Sequence, residues 1–139
     1  MSEESTTPDL VERWRQAAEA YARRDFEAMV RFWASDAVWD SSSAGIGRFE
    51  GAAARSFLED WIGAYEDYKY EQEEGRDLGN GVVFAVARIG GRLAGSAGGL
   101  QQRLGYTVTW ADGMVVSVTV RPDIDEARAA AQRLAEERG

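Results

Sequence analysis

RLGYTVTWADGMVVSVTVRPD, from Arg103 to Asp123, holds two runs of β-branched and aromatic residues on either side of Ala111-Asp112-Gly113. Asp-Gly between such runs signals a hairpin, because the tight turn that matches strand twist needs positive φ at both central residues. In the first arm Tyr106, Val108 and Trp110 alternate with Thr107 and Thr109; in the second, Val116, Val118 and Val120 alternate with Ser117, Thr119 and Arg121. Successive strand residues point to opposite faces, so each arm is expected to be a strand with two chemically distinct sides.

Upstream, Leu100–Trp110 forms the long strand entering this hairpin, and the glycine-rich stretch Gly90–Gly99 before it reads as a loop. Val82–Ile89 reads as another strand, reached through the turn signal Gly79-Asn80-Gly81. From Tyr68 onward Tyr68, Tyr70 and Gln72 alternate with Lys69, Glu71 and Glu73, which predicts a half-exposed strand. Three helices precede it. Asp9 is placed to cap the first, with Glu12 as capping-box partner, and Leu10, Trp14, Ala17, Ala18 and Tyr21 share one face. Asp25 caps a second helix carrying Phe26, Met29, Phe32 and Trp33 and ending at Ser35-Asp36; Ala37–Asp40 is a short strand leading to the loop Ser41–Gly47. The third helix starts at Gly51 or Ala52, with Ala54, Phe57, Leu58, Trp61, Ile62 and Tyr65 as its apolar stripe. Downstream, Asp123 caps a last helix, Ile124–Glu137, whose weak apolar face is Ala127, Ala131 and Leu134. Residues 1–8 read as a disordered polar tail, 123–139 as the C-terminal helical segment, and 1–139 as one domain without repeats. Helices grouped before a run of antiparallel strands give an α+β class. A strongly curved antiparallel sheet wrapped around the N-terminal helices makes a cone-shaped α+β barrel, with a cavity where the aromatic residues converge.

Composition narrows the chemistry. The chain has no Cys and no His among its 139 residues, which removes thiol nucleophiles, disulfides, Ser-His-Asp triads and the commonest transition-metal ligand. Lys69 is the sole lysine, so proton transfer falls to Asp, Glu, Tyr or Arg-assisted water. A formal net charge of −8 argues against nucleic-acid and anionic-membrane partners. No apolar run approaches the ~18 residues that span a bilayer, and Met1–Asp9 has no signal-peptide core, so the expected location is cytoplasmic. Five Trp, five Tyr and five Phe are enough to fill a core and also line a pocket for an apolar ligand.

AYARRDFEAMVRFWASDAVWD at Ala20–Asp40, Phe49-Glu50-Gly51 with the helix ending at Trp61, and TWADGMVVSVTV at Thr109–Val120 together resemble the NTF2-like superfamily, in its SnoaL-like branch. The similarity spans about Leu10 to Asp123. It implies a cone-shaped barrel with an apolar pocket, often a homodimer, in a superfamily of ketosteroid isomerases, polyketide cyclases, epoxide hydrolases, dehydratases and binding modules without chemistry. The fold alone does not choose among these. Carried over position by position, the isomerase base falls at Ser41 with Asp40 one residue before, the second carboxyl falls at Gly105, and the helix-one tyrosine falls near Ala17, a turn from Tyr21. Arg103 can supply the arginine of the epoxide-hydrolase arrangement, but Gly105 and Val120 stand where its carboxylates are expected. Met114–Pro122 holds no acid for a cyclase-type base.

Two readings of the site follow. In the first, the protein binds a small hydrophobic molecule in an aromatic-lined pocket formed by Trp39, Trp61, Tyr65, Phe84, Arg88, Tyr106 and Trp110. In the second, it is a cofactor-free isomerase, cyclase or hydrolase acting on a small apolar carbonyl or cyclic substrate. Asp40 would then be the general base, its pKa raised by desolvation, assisted by Tyr21 or Arg103. Neither reading calls for a cofactor or a metal. Glu71, Glu73, Glu74 and Asp77 read as a solvated strand edge, and the loop Ile89–Gly99 lacks the spacing of a phosphate loop. A homodimer would use the exposed sheet face.

Overall fold

The computed structural model describes residues 9–95 and 98–139. The expected disordered tail at 1–8 and the middle of the glycine-rich stretch lie outside them. In chain order the elements are α1 (Leu10–Ala22), α2 (Phe26–Val30), β1 (Trp33–Asp40), a 3-10 turn at Ser42–Ala44, β2 (Arg48–Glu50), α3 (Ala52–Gly63), β3 (Lys69–Gly79), β4 (Val82–Arg92), β5 (Gly99–Ala111), β6 (Met114–Arg121) and α4 (Ile124–Glu137). The six strands form one curved, unclosed sheet in the order β2-β1-β6-β5-β4-β3. With α1–α3 inside its curve, this is the expected cone-shaped α+β fold.

Local chemistry accounts for the element ends. Asp9, Asp25 and Asp123 accept from the backbone N–H groups of Glu12, Ala28 and Glu126 at 3.1, 3.1 and 3.0 Å, each satisfying a donor the first helical turn leaves free. Glu12 does not return to Asp9; its carboxylate turns to Arg15, so only half of the capping box forms. Asp112 and Gly113 adopt φ of 53° and 78°, the tight turn expected of Asp-Gly, and close the β5–β6 hairpin at the Ala111–Met114 pair.

Four expectations change. The second helix stops at Val30 instead of Ser35-Asp36, and β1 begins at Trp33. Val115 donates its N–H to the Phe32 carbonyl at 2.7 Å, so β6 draws this segment into the sheet. β1 runs parallel to β6, which makes the sheet mixed; α3 and the intervening strands provide the long connection that a parallel pair requires. Gly90–Arg92 extends β4 and Gly99 opens β5, so the glycine-rich loop is shorter than expected. In β6 a bulge between the Thr109–Ser117 and Trp110–Val115 pairs shifts the alternation, so Val115, not Val116, joins Val118 and Val120 on the inner face.

Both faces of the central sheet are covered. On the inner face Val83, Ala85, Ala87, Tyr106, Val108, Trp110, Val118 and Val120 pack with residues of α1, α2 and α3. On the outer face Val82, Phe84 and Val86 pack against Ala127, Ala131 and Ala135 of α4. Gly105 permits the close approach of that helix: a Cβ there would lie 2.5 Å from Ala127 Cβ. Arg128 fixes the middle of α4 through paired contacts of 2.6 and 3.1 Å to Glu74, with its guanidinium 5.0 Å from the Phe84 ring centre. Asn80 Nδ2 donates to the Ala135 carbonyl at 2.6 Å near the other end.

Candidate functional site

Inside the cone, between α1, α3 and the inner sheet face, lies a cavity of about 410 Å³. Its volume falls in the ~300–1,000 Å³ range typical of small-molecule sites. The walls are aromatic. All five tyrosines of the chain line it, as do Trp14, Trp33, Trp39 and Trp61, four of its five tryptophans. Ala17 and Ala18 leave the α1 wall low, while Ile89, Leu104 and Val120 supply the aliphatic part of the sheet wall.

The rings touch in separate groups. Trp33 stacks on Trp39 at 6.0 Å and 24°. A second line runs from the surface inward: Phe57 to Trp61 at 5.7 Å, Trp61 to Tyr65 at 5.9 Å, Tyr65 to Tyr68 at 5.5 Å and Tyr68 to Tyr21 at 5.6 Å. Trp61 is 37% exposed and Ile46 38%, so two of the exposed large apolar residues stand at the cavity mouth. The segment Ser41–Gly47 forms one lip. Ser41 N–H donates to the Gly47 carbonyl at 2.8 Å, and Asp40 holds the turn by accepting from Ser42 N–H at 3.0 Å and Ser42 Oγ at 2.6 Å.

Several phenols and indoles are already engaged. Tyr21 donates to the Leu58 carbonyl at 2.7 Å. Tyr70 accepts from Trp14 Nε1 at 3.0 Å and donates to Gln72 Oε1 at 2.7 Å. Trp33 Nε1 is buried without a partner among the described residues. The hydroxyls of Tyr65, Tyr68 and Tyr106 also make no hydrogen bond among the described residues. Burial is the main force raising the pKa of Tyr21, Tyr68, Tyr70 and Tyr106, so these phenols stay protonated. Among the described residues, no Asp, Glu, Lys or Arg lines the cavity.

The predicted site residues divide accordingly. Tyr21, Trp39, Trp61, Tyr65 and Tyr106 lie together on the cavity wall. Asp40 lies between two lining residues but is not one itself. Its bonds from Ser42 hold its carboxyl below the ordinary carboxylate range, the reverse of the desolvated base expected from sequence. Phe84 belongs to the outer face under α4: cross-strand partners share a face, and it pairs with Thr107 while Tyr106 pairs with Ala85. Arg88 and Arg103 are partners of each other on that outer face and both reach Glu73, at 3.1 and 2.8 Å. Trp110 is buried on the inner side but outside the cavity, with the Arg13 guanidinium 5.3 Å from its ring centre. Gly105, placed by the resemblance where a pocket carboxyl would stand, likewise faces outward, onto Ala127. Glu74 of the acidic run is engaged by Arg76 and Arg128.

Trp14, Trp33, Tyr68 and Tyr70 were missed as lining residues. The signal for the last two was the Tyr68-Tyr70-Gln72 alternation, which marked one face of β3 without saying what that face met. Trp33 was hidden by its assignment to α2.

A family model described as a SnoaL-like domain matches residues 11–118. Among solved structures, an NTF2-like protein of unknown function from Burkholderia pseudomallei superposes with a TM-score of 0.72 at 16% identity, covering 86% of this chain and 95% of that one. Bal32a, from a soil-derived mobile gene cassette, gives 0.70 at 17% identity over 79% and 86% of the two chains. TerC, co-crystallised with polyporic acid, gives 0.69 at 16% identity over 88% and 97%. At these identities the likeness is one of fold. No curated protein matches the chain significantly.

Proposed function

The chain belongs to the SnoaL-like domain family, and on that footing we propose that it binds a small hydrophobic molecule in its aromatic cavity. One observation carries the reading: five tyrosines and four tryptophans converge on a single cavity of about 410 Å³ without filling it. Interiors normally close to crystal-like density, because unfilled volume forfeits dispersion contacts. A planar apolar ligand would recover those contacts by stacking on rings already in place. TerC, of the same fold, was co-crystallised with polyporic acid, which is consistent with such a use.

Fluorene, a rigid neutral hydrocarbon, is a suitable probe. It should bind at one per chain and raise the melting temperature, and Ala18→Phe, which builds a ring into the α1 wall, should weaken it at least tenfold. Equal binding by that variant, or no binding by the wild type, contradicts the proposal. The second reading, a cofactor-free isomerase, cyclase or hydrolase with Asp40 as base, requires that carboxylate to leave Ser42 and turn between Trp39 and Ser41.

If two copies associate, α4 has already taken the apolar part of the outer face. They would meet through the charged strip of Glu71, Glu73, Arg88 and Arg103. Such a dimer should dissociate as salt rises; sedimentation giving only monomer at low salt would remove it.

A further inference from the structure

We infer that the cavity selects an uncharged ligand carrying a hydrogen-bond acceptor oxygen, such as a ring ketone, received by the hydroxyls of Tyr68 and Tyr106. This rests on the cavity being a ligand site and adds the polarity of what it takes. Tyr106 is only 4% exposed. Its hydroxyl makes no hydrogen bond among the described residues, and the residue lines the cavity. Tyr68 lines the same cavity in the same unpartnered state, and burial raises the pKa of both phenols. Two protonated phenols with no protein acceptor leave unmet donor capacity, which an acceptor oxygen would satisfy.

Of the other polar groups on the wall, Trp39 offers only a donor, the Tyr21 hydroxyl is committed to Leu58, Ser41 Oγ to the Gly47 carbonyl, and the Tyr70 hydroxyl is held between Trp14 and Gln72. The wall also carries the Tyr65 hydroxyl and the amide of the exposed Gln102. No guanidinium or ammonium group lines the cavity among the described residues, and the whole chain carries −8. A carboxylate entering here would lose its water without gaining a cation, which is strongly unfavourable. The site therefore excludes anions by lack of compensation and favours a ketone over the bare hydrocarbon by hydrogen bonding.

Three probes of one skeleton test this by calorimetric titration: fluorene, 9-fluorenone and 9-fluorenone-4-carboxylate. Fluorenone should bind about fivefold or more tighter than fluorene, the effect expected of one neutral hydrogen bond in a buried site. The carboxylate should bind at least tenfold weaker than fluorenone. In the double variant Tyr68→Phe/Tyr106→Phe, which removes the hydroxyls and keeps the rings, the fluorenone-to-fluorene ratio should collapse toward one. Equal affinities for fluorene and fluorenone in the wild type overturn the inference while leaving the cavity reading intact. A preserved ratio in the double variant overturns the assignment to these two hydroxyls. Tight binding of the carboxylate overturns the charge exclusion. If neither neutral probe binds, the cavity reading itself fails, and this inference with it.

Discussion

At Asp40 two hydrogen bonds from Ser42 outweigh the desolvation of a strand end beside Trp39. The side chain is thereby a clamp on the lip of the cavity. Asp40→Asn keeps one acceptor oxygen and loses the charge, so a destabilisation of about 1 kcal/mol is expected, the usual worth of a side-chain bond of this kind. Fluorene affinity should stay within twofold. A tenfold loss of affinity at unchanged stability would place Asp40 in the binding site after all. Phe84 and Tyr106 carry a related lesson. Both are large, aromatic and buried, and only the β4–β5 register separates them onto opposite faces. Alternation identifies two faces of a strand, but it does not say which one is concave.

Among the elements, α4 differs most from expectation in what it does. Its boundaries and its Asp123 cap were legible, because a capping Asp before a helical period is a local signal. Its partner was not, since Ala127 and Ala131 form too weak a stripe to name a surface. The complementary signal was the unbroken apolar run Val82–Ala87, all of it buried, which argues for a strand covered on both sides. β2 and the start of β1 were illegible for another reason: tertiary pairing, of β2 with β1 and of Trp33 with Val115 of β6, and not local propensity, makes them strands. The Glu74–Arg128 pair gives α4 a measurable pH dependence. Arg128 holds the Glu74 carboxyl at about 2, below its unfolded value. A depressed folded pKa contributes stability above the ordinary Glu range of ~4.3, and that contribution is lost as pH falls toward the folded value. Glu74→Gln should therefore cost about 1 kcal/mol at pH 7, a modest amount because both side chains are partly exposed. The gap between variant and wild type should close between about pH 4.5 and pH 2 in denaturant melts. A gap independent of pH would mean that the pair does not fasten the helix.

For the whole molecule, a mixed sheet covered on its outer face by α4 encloses the aromatic cavity on its inner face with α1 and α3. No helix among the described residues is long and apolar enough to cross a membrane. The hairpin Arg103–Asp123 and the helical periods made the α+β class legible, and five of the ten predicted site residues do line one cavity. Of the other five, Phe84, Arg88 and Arg103 depended on which sheet face is concave, a property of long-range packing, while Asp40 is held by Ser42 and Trp110 lies on the inner face beyond the cavity. A second, shallower recess on the outer side of α3, between Phe49, Asp60 and Trp61, competes for any apolar probe. Trp61 borders both, so quenching of its fluorescence does not tell them apart. The crystal structure of the fluorenone complex does. Density for the probe is expected inside the cone, in contact with Trp14 and Tyr106 and with its oxygen toward the Tyr68 and Tyr106 hydroxyls. Density only between Phe49 and Trp61 on the outside of α3, with the cavity unchanged, would contradict it.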